Sequence, residues 1–307
     1  MKTSAITKQK RKESQIKIFD VINFIILGLF TLICIYPFYY LIINTISSNV
    51  LSGNGDIIFF PRQIQFSNYI QVIKIPGLMN AAYISVARTV LGTILPVLVS
   101  SFLGFMFTQK KMWNRKLWYR YVLITMYFNA GLIPWYITMM NLGLLNNFWA
   151  YILPALIQPF NIILTKTYIE STPITIQEAA VMDGAGILTI FWYIILPIIK
   201  PILATIAIFC AVGQWNSFMD TIILMTNQNL NTLQSILYKY INQADALASM
   251  LQGNNSISGN MIHAATTQTA GSVRMTVTVI VVLPILMVYP FFQRSFVKGI
   301  MLGSIKG

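Results

Sequence analysis

Of the 307 residues, 56% are hydrophobic and only 9% charged. A water-soluble domain has roughly a quarter of its residues charged, so this chain cannot cover a water-facing surface and its solvent is lipid. The net charge of +13 would suit a nucleic-acid partner, but the positive residues cluster at the ends of apolar stretches, which makes it a topology signal and excludes nucleic acid. Cys34 and Cys210 lie inside apolar stretches and read as small buried hydrophobes. The single histidine, His263, has no Cys, Asp or Glu cluster beside it, so no metal site is expected.

Residues 1–20 form a basic tail holding Lys2, Lys8, Lys10, Arg11, Lys12 and Lys17. The apolar stretch that follows, Val21–Ile43, is 23 residues without a charge, longer than the roughly 7–15 residues of a signal-peptide core. No small-residue cleavage site follows it, so it reads as a retained anchor. Crossing roughly 30 Å of hydrocarbon takes about 20 helical residues, and helices satisfy every backbone group internally. On that basis six spans are predicted, at about 21–45, 80–108, 121–140, 148–168, 199–225 and 273–293. The third and fourth come from one charge-free stretch, Tyr121–Thr165, divided at the polar Asn141–Asn147 segment. The fold class is therefore an all-α integral membrane protein, with a transmembrane domain over 21–293 and a tail over 294–307.

Lys and Arg mark the cytoplasmic face. The tail holds six, the loop 109–120 five, the segment 166–200 two and the C-terminal tail three. Against these sixteen, the other face has Arg62, Lys74, Lys239 and Arg274, with Arg88 left inside a span. Both termini are placed in the cytoplasm. Two outer loops carry content. In Ser47–Pro76, the Gly53-Asn54-Gly55 turn precedes a short apolar segment, Ile57–Phe60, that reads as interfacial. In the loop 226–271, Leu233, Ile236, Leu237, Tyr240 and Ile241 fall at helical spacing. They form an apolar stripe suited to packing on the bundle or to docking an external partner, and a Gly/Asn/Ser-rich stretch follows at 253–260.

The fourth and fifth spans are joined by the segment 169–198. Thr172-Pro173 reads as a helix start, and Ile174–Asp183 as a short helix of roughly 15 Å. Gly184 suits a left-handed helix stop. A second helix then runs to Pro197 and Pro201. Two short helices joined at a glycine form a knob on the cytoplasmic side.

The knob reads Glu178-Ala179-Ala180, three residues, Gly184, nine residues, Ile194, one residue, Leu196-Pro197. It resembles the EAA signature of permease subunits of ATP-binding-cassette (ABC) importers, and with Asp183 and Ala185 it is similar to the carbohydrate-uptake branch. The resemblance implies a type I ABC-importer permease fold in a bacterial cell membrane. It implies that Glu178, Ala179, Ala180, Asp183, Gly184 and Ala185 couple to a cytoplasmic ATPase. The residue types suit that role. The alanines keep the helix thin, Glu178 can accept charge-assisted hydrogen bonds, and Gly184 aims the helix. The implied partners are a second homologous permease, two cytoplasmic ABC ATPase subunits, an extracytoplasmic solute-binding protein and an oligosaccharide. ATP is bound by the partner ATPases, and this chain needs no cofactor of its own.

The endings Tyr289–Gly299 and Gly303–Gly307 resemble those of oligosaccharide permeases related to the maltose system, whose tails reach toward the ATPase. Lys298 and Lys306 would serve that contact or anionic headgroups. Gln214-Trp215-Asn216 in the fifth span also fits the family and is the substrate-path candidate, because Trp stacks on sugar rings and amides bond hydroxyls. A polar contact between helices is the plainer reading. The long 226–271 loop departs from the maltose-type pattern and looks like the branch that handles polysaccharide fragments. Arg88 has two readings, snorkelling to the outer interface and lining the path.

Other classes fit less well. The chain has no phosphate-binding loop. A secondary, ion-coupled transporter needs buried carboxylates, and Asp220, near the outer end of the fifth span, is the only one inside the spans, with Arg88 the other charge away from a span boundary. The Gly53–Asp56 run superficially matches intramembrane aspartyl proteases, but no second Asp lies at matching depth to share a proton. No catalytic residue is expected.

Overall fold

A computed structural model describes residues 2–253 and 271–287, with side chains described over 19–243 and 271–287. Every regular element among the described residues is helical. They divide into two compact units, one running to Val72 and including the start of the last helix, the other beginning at Ile73.

In the first unit, α1 (Lys2–Thr45) runs unbroken from the basic tail through the apolar stretch. Its Phe19–Thr45 part is long and apolar enough to cross a membrane, and from Phe19 to Leu32 it leaves its large apolar side chains exposed. The C-terminal end of α1 is tied down by amides and hydroxyls. The Asn44 side-chain amide donates to the carbonyls of Tyr40 (2.9 Å) and Ile57 (3.4 Å), while its oxygen accepts from Ser52 (2.7 Å). Asn68 donates to the Thr45 carbonyl (3.0 Å) and to Asn49 (2.8 Å). These bonds hold α2 (Asn49–Gly53) and α3 (Ser67–Ile73) against the helix end and satisfy backbone groups that would otherwise be buried unpaired. Gly55 takes the turn at φ +79°. Of the predicted apolar segment, Ile57 is fully buried whereas Ile58, Phe59 and Phe60 are exposed. Asp56 lies in the exposed turn.

The second unit is built on α4 (Leu78–Met106), also long and apolar enough to span a membrane. It packs against α7 (Pro159–Glu170) and α10 (Lys200–Asn216). Small residues let these helices approach closely, as in membrane bundles generally. A Cβ on Gly104 would sit 2.8 Å from the Thr165 side chain, and one on Gly92 2.7 Å from Gln214.

The predicted third span, 121–140, is not one helix. It is divided into α5 (Arg115–Tyr127) and α6 (Leu132–Asn141). Phe128 is extended, Gly131 takes φ +87°, and the Asn129 side chain accepts from the Gly131 N–H (2.9 Å). An Asn that closes its own turn competes with the helix, and apolar content alone does not reveal it. The predicted 148–168 span opens with 3-10 turns at Phe148–Tyr151 and Leu153–Ala155, then bends by 45° into α7. The predicted 199–225 span ends as a helix at Asn216 and resumes at α11 (Met219–Leu224).

The stripe at 233–241 belongs to α12 (Leu233–Gly253). Leu233, Ile236 and Leu237 are buried, and the Leu233 N–H donates to Ser85 (2.8 Å). Thr232 and Ser235 cap the helix reciprocally, each hydroxyl accepting the other's N–H. The packing reading holds for these three residues of the stripe, while Tyr240 and Ile241 are half-buried. The Gly/Asn/Ser-rich stretch from 254 on and the endings beyond 287 lie outside the described residues. The last helix, α13 (Gly271–Met287), covers most of the predicted sixth span.

Candidate functional site

The knob is formed by α8 (Thr175–Met182) and α9 (Ile187–Ile198). Thr172 does not cap α8. Its hydroxyl donates back to the Ile169 carbonyl of α7 (2.6 Å), and α8 begins at Thr175 with no side-chain cap. The C-terminal stop is as predicted. Gly184 has φ +79°, its N–H donates to the Val181 carbonyl (3.1 Å), and the Ala185 N–H donates to the Ala180 carbonyl (2.9 Å). This pair of bonds is the Schellman motif, whose left-handed residue is most cheaply glycine.

The motif residues separate by face. Glu178, Ala179, Asp183 and Gly184 are exposed. Ala180 is buried in a cluster with Phe105, Ile190 and Phe191, and Ala185 packs against that cluster. Of the two alanines expected to thin the docking face, Ala180 therefore serves the chain's own core. Composition did not single out the apolar residues that are displayed: Val181 is 52% exposed and Met182 86%. Helical periodicity, with Ala180 turned inward, was the available signal.

Aromatic packing holds the knob rigidly. Phe191 meets Phe102 edge-on (5.2 Å) and Phe105 (5.5 Å), and it lies in a π-helical turn, Ile190–Ile195. The chain then bends by 81° into α10 at Ile199, just before Pro201, as a proline-broken helix should. A bond from Gln109 to Gln177 (3.1 Å) ties the knob to the basic loop. Between them lies a groove of about 940 Å³ whose lining includes Lys110, Lys111, Arg115, Glu170 and Glu178.

The second feature lies at the break between α10 and α11. Arg88 is 2% exposed, so it does not snorkel. Its Nη1 and Nη2 both donate to the Asp220 carboxylate, Nη1 also to the Ser217 carbonyl (3.3 Å), and Nε to Gln214 Oε1 (2.8 Å). Its guanidinium lies 4.5 Å from the centroid of the Tyr151 ring. Arg88 thus satisfies a carbonyl released by the break and the carboxylate at the start of α11. An extended arginine bound for water could do neither. Asp220 Oδ1 accepts further from Ser217 Oγ (3.1 Å) and the Thr221 N–H (2.9 Å). The Gln214 amide nitrogen donates to the Tyr151 carbonyl (3.2 Å), and the Tyr151 hydroxyl to the Leu230 carbonyl (2.6 Å).

A cavity of about 300 Å³ opens beside this network. Of the sequence candidates, Arg88 and Gln214 line it. Trp215 and Asn216 do not: the Trp215 indole N–H donates to the Val281 carbonyl (3.0 Å), and Asn216 is exposed. Residues that sequence reasoning missed complete the lining, chiefly Trp135, Tyr151, Gln158 and Ser217. In sequence Asp220 reads only as an isolated charge. Two opposite charges inside apolar spans are a signal for a pair, and that signal was available.

No family model matches the chain. Over 95% of its length it is 33% identical to Protein LplC of Bacillus subtilis (strain 168), 96% of which is covered. Over 95% of its length it is also 31% identical to the polygalacturonan/rhamnogalacturonan transport system permease protein YtcP of that organism, 99% of which is covered. The chain belongs to the carbohydrate permeases of ABC transporters.

The permease also matches a solved structure in shape. A chain of a bacterial ABC transporter involved in the import of the acidic polysaccharide alginate aligns with a TM-score of 0.78 and 30% identity, over 91% of this chain and 97% of that one. This membership sets aside the ion-coupled alternative. It makes the permease a membrane transport component.

Proposed function

We propose that the permease is one of two homologous transmembrane subunits of a bacterial oligosaccharide importer, with six spans and both termini in the cytoplasm. Two of the spans are broken helices and the third is the α5–α6 pair. α1 and α4 are each long and apolar enough to cross alone, and the bent pair of Phe148–Ala155 with α7 is apolar enough to cross together, which supports three of the six. The knob docks in a groove of a cytoplasmic ATPase, with Glu178, Ala179, Asp183 and Gly184 at the contact and Ala180 and Ala185 bracing it from within. Two such ATPases bind the ATP, and a solute-binding protein delivers sugar to the opposite face. Arg88 and Gln214 line the substrate path of this half, while Trp215 and Asn216 stand at its margin.

The observation carrying the coupling assignment is the Schellman stop at Gly184, which presents α8 on a core-braced stem. A rigid stem can transmit a displacement that a loop would absorb. The names of the relatives span more than one sugar chemistry: YtcP is named for polygalacturonan and rhamnogalacturonan, a third relative for arabinooligosaccharides and a fourth for lactose. An oligosaccharide is the substrate class they share. The test is reconstitution of the chain in vesicles with and without its ATPase pair. ATP-dependent sugar uptake only in the full assembly is expected, and uptake by the chain alone would overturn the proposal.

A further inference from the structure

The cavity beside Arg88 has a chemical character that points to its ligand. At about 300 Å³ it lies at the small end of ligand pockets, which run from about 300 to 1,000 Å³. It has room for one sugar ring rather than a chain. Among the described residues its lining holds one positive and one negative side chain, Arg88 and Asp220, and these are bonded to each other. Each of the three Arg88 nitrogens already donates to a protein acceptor, and its face is against Tyr151. The guanidinium therefore has little capacity left for an incoming anion. The remaining wall groups are neutral. The Trp135 ring is half-buried, and the Gln158 oxygen is engaged by Asn161 (2.9 Å), which leaves the Gln158 amide N–H groups as donors.

We infer that this cavity is a subsite for a single uncharged pyranose unit and that it discriminates against uronic acids. This rests on the reading of the chain as half of a sugar path. An uncharged ring supplies an apolar face for Trp135, hydroxyl oxygens that accept from Gln158, and a hydroxyl that donates to Asp220. A uronate carboxylate would approach the Asp220 carboxylate with no free cation to receive it. To recruit Arg88 it would have to break a buried pair and leave Asp220 uncompensated, the costly way to disturb such a pair. A lone arginine in a cavity would select for acid. The same arginine held by an aspartate selects against it.

The test is saturation-transfer NMR on the intact complex of permeases and ATPases, without binding protein. The probes are methyl glucoside and methyl galactoside against glucuronate and galacturonate. The glycosides should bind at least about tenfold more tightly than the uronates, a difference of about 1.4 kcal/mol. Trp135→Ala and Gln158→Ala should each weaken glycoside binding at least fivefold. Asp220→Asn releases Arg88 and should move the preference toward the uronates. Should that variant fail to assemble, Gln158→Glu adds a carboxylate to the wall and should widen the glycoside preference. Equal or tighter uronate binding by the unaltered complex would overturn the inference. So would glycoside binding untouched at Trp135 and Gln158, or no binding of any probe. None of these readouts depends on ATP-driven uptake, whose absence would instead count against the importer reading.

Discussion

A methyl group on Gly92 would stand 2.7 Å from the side-chain Cδ of Gln214, closer than side chains pack. Gln214 lies flat across the second span because that position is bare, and only from there can its oxygen accept from Arg88 Nε. A residue on one span thus sets the partner of a charge four positions earlier through a side chain on another. Gly92→Ala is expected to push Gln214 off this line and to destabilise the assembly by about 1–3 kcal/mol, the usual cost of overpacking. Thermal unfolding of the detergent-solubilised complex measures it, and an unchanged midpoint would show that Gln214 can move freely.

The Arg88–Asp220 pair should behave as a unit. Removing one partner leaves an uncompensated buried charge, with an expected cost of about 3–5 kcal/mol for Arg88→Met. The double variant Arg88→Met with Asp220→Leu should recover much of that loss. A double-mutant cycle on unfolding midpoints checks this, and additive losses would mean that the pair contributes no coupling.

Gly184 holds a left-handed backbone, where a β-branched side chain is strained by roughly 1–2 kcal/mol. Gly184→Val should insert and assemble yet lose substrate-stimulated ATP hydrolysis, because α8 is misdirected. Glu178→Lys should do the same by reversing the charge offered to the ATPase. Wild-type stimulation in both variants would remove the coupling role from the knob.

Single cysteines introduced into a background lacking Cys34 and Cys210 report sidedness. Positions in 109–120 and 169–198 should react only with reagent supplied from the cytoplasm, and those in 226–271 only from outside. Labelling of 226–271 from the cytoplasm would invert the topology and place the knob away from any ATPase.

The sequence alone carried the features that depend on local chemistry. The apolar length of α1 and α4, the glycine stop at Gly184 and the stripe Leu233–Ile236–Leu237 were legible because each follows from helical periodicity or from one residue's backbone freedom. The EAA spacing was legible only as a resemblance to the signature of ABC-importer permeases. The tertiary structure decided what depends on residues far apart in the chain. Ala180 turns inward because Phe191 and Phe105 bury that face. The predicted span 121–140 divides into α5 and α6 because the Asn129 side chain closes a turn, a competition that hydropathy does not register. Trp215 is committed to the Val281 carbonyl instead of the cavity. Arg88 and Asp220, 132 positions apart, were two anomalies in sequence and are one ion pair in space. Apolar length is summed along a segment, so it can be read residue by residue. A buried charge is tolerable only beside its partner, and the folded packing of α4 against the break between α10 and α11 supplies that partner.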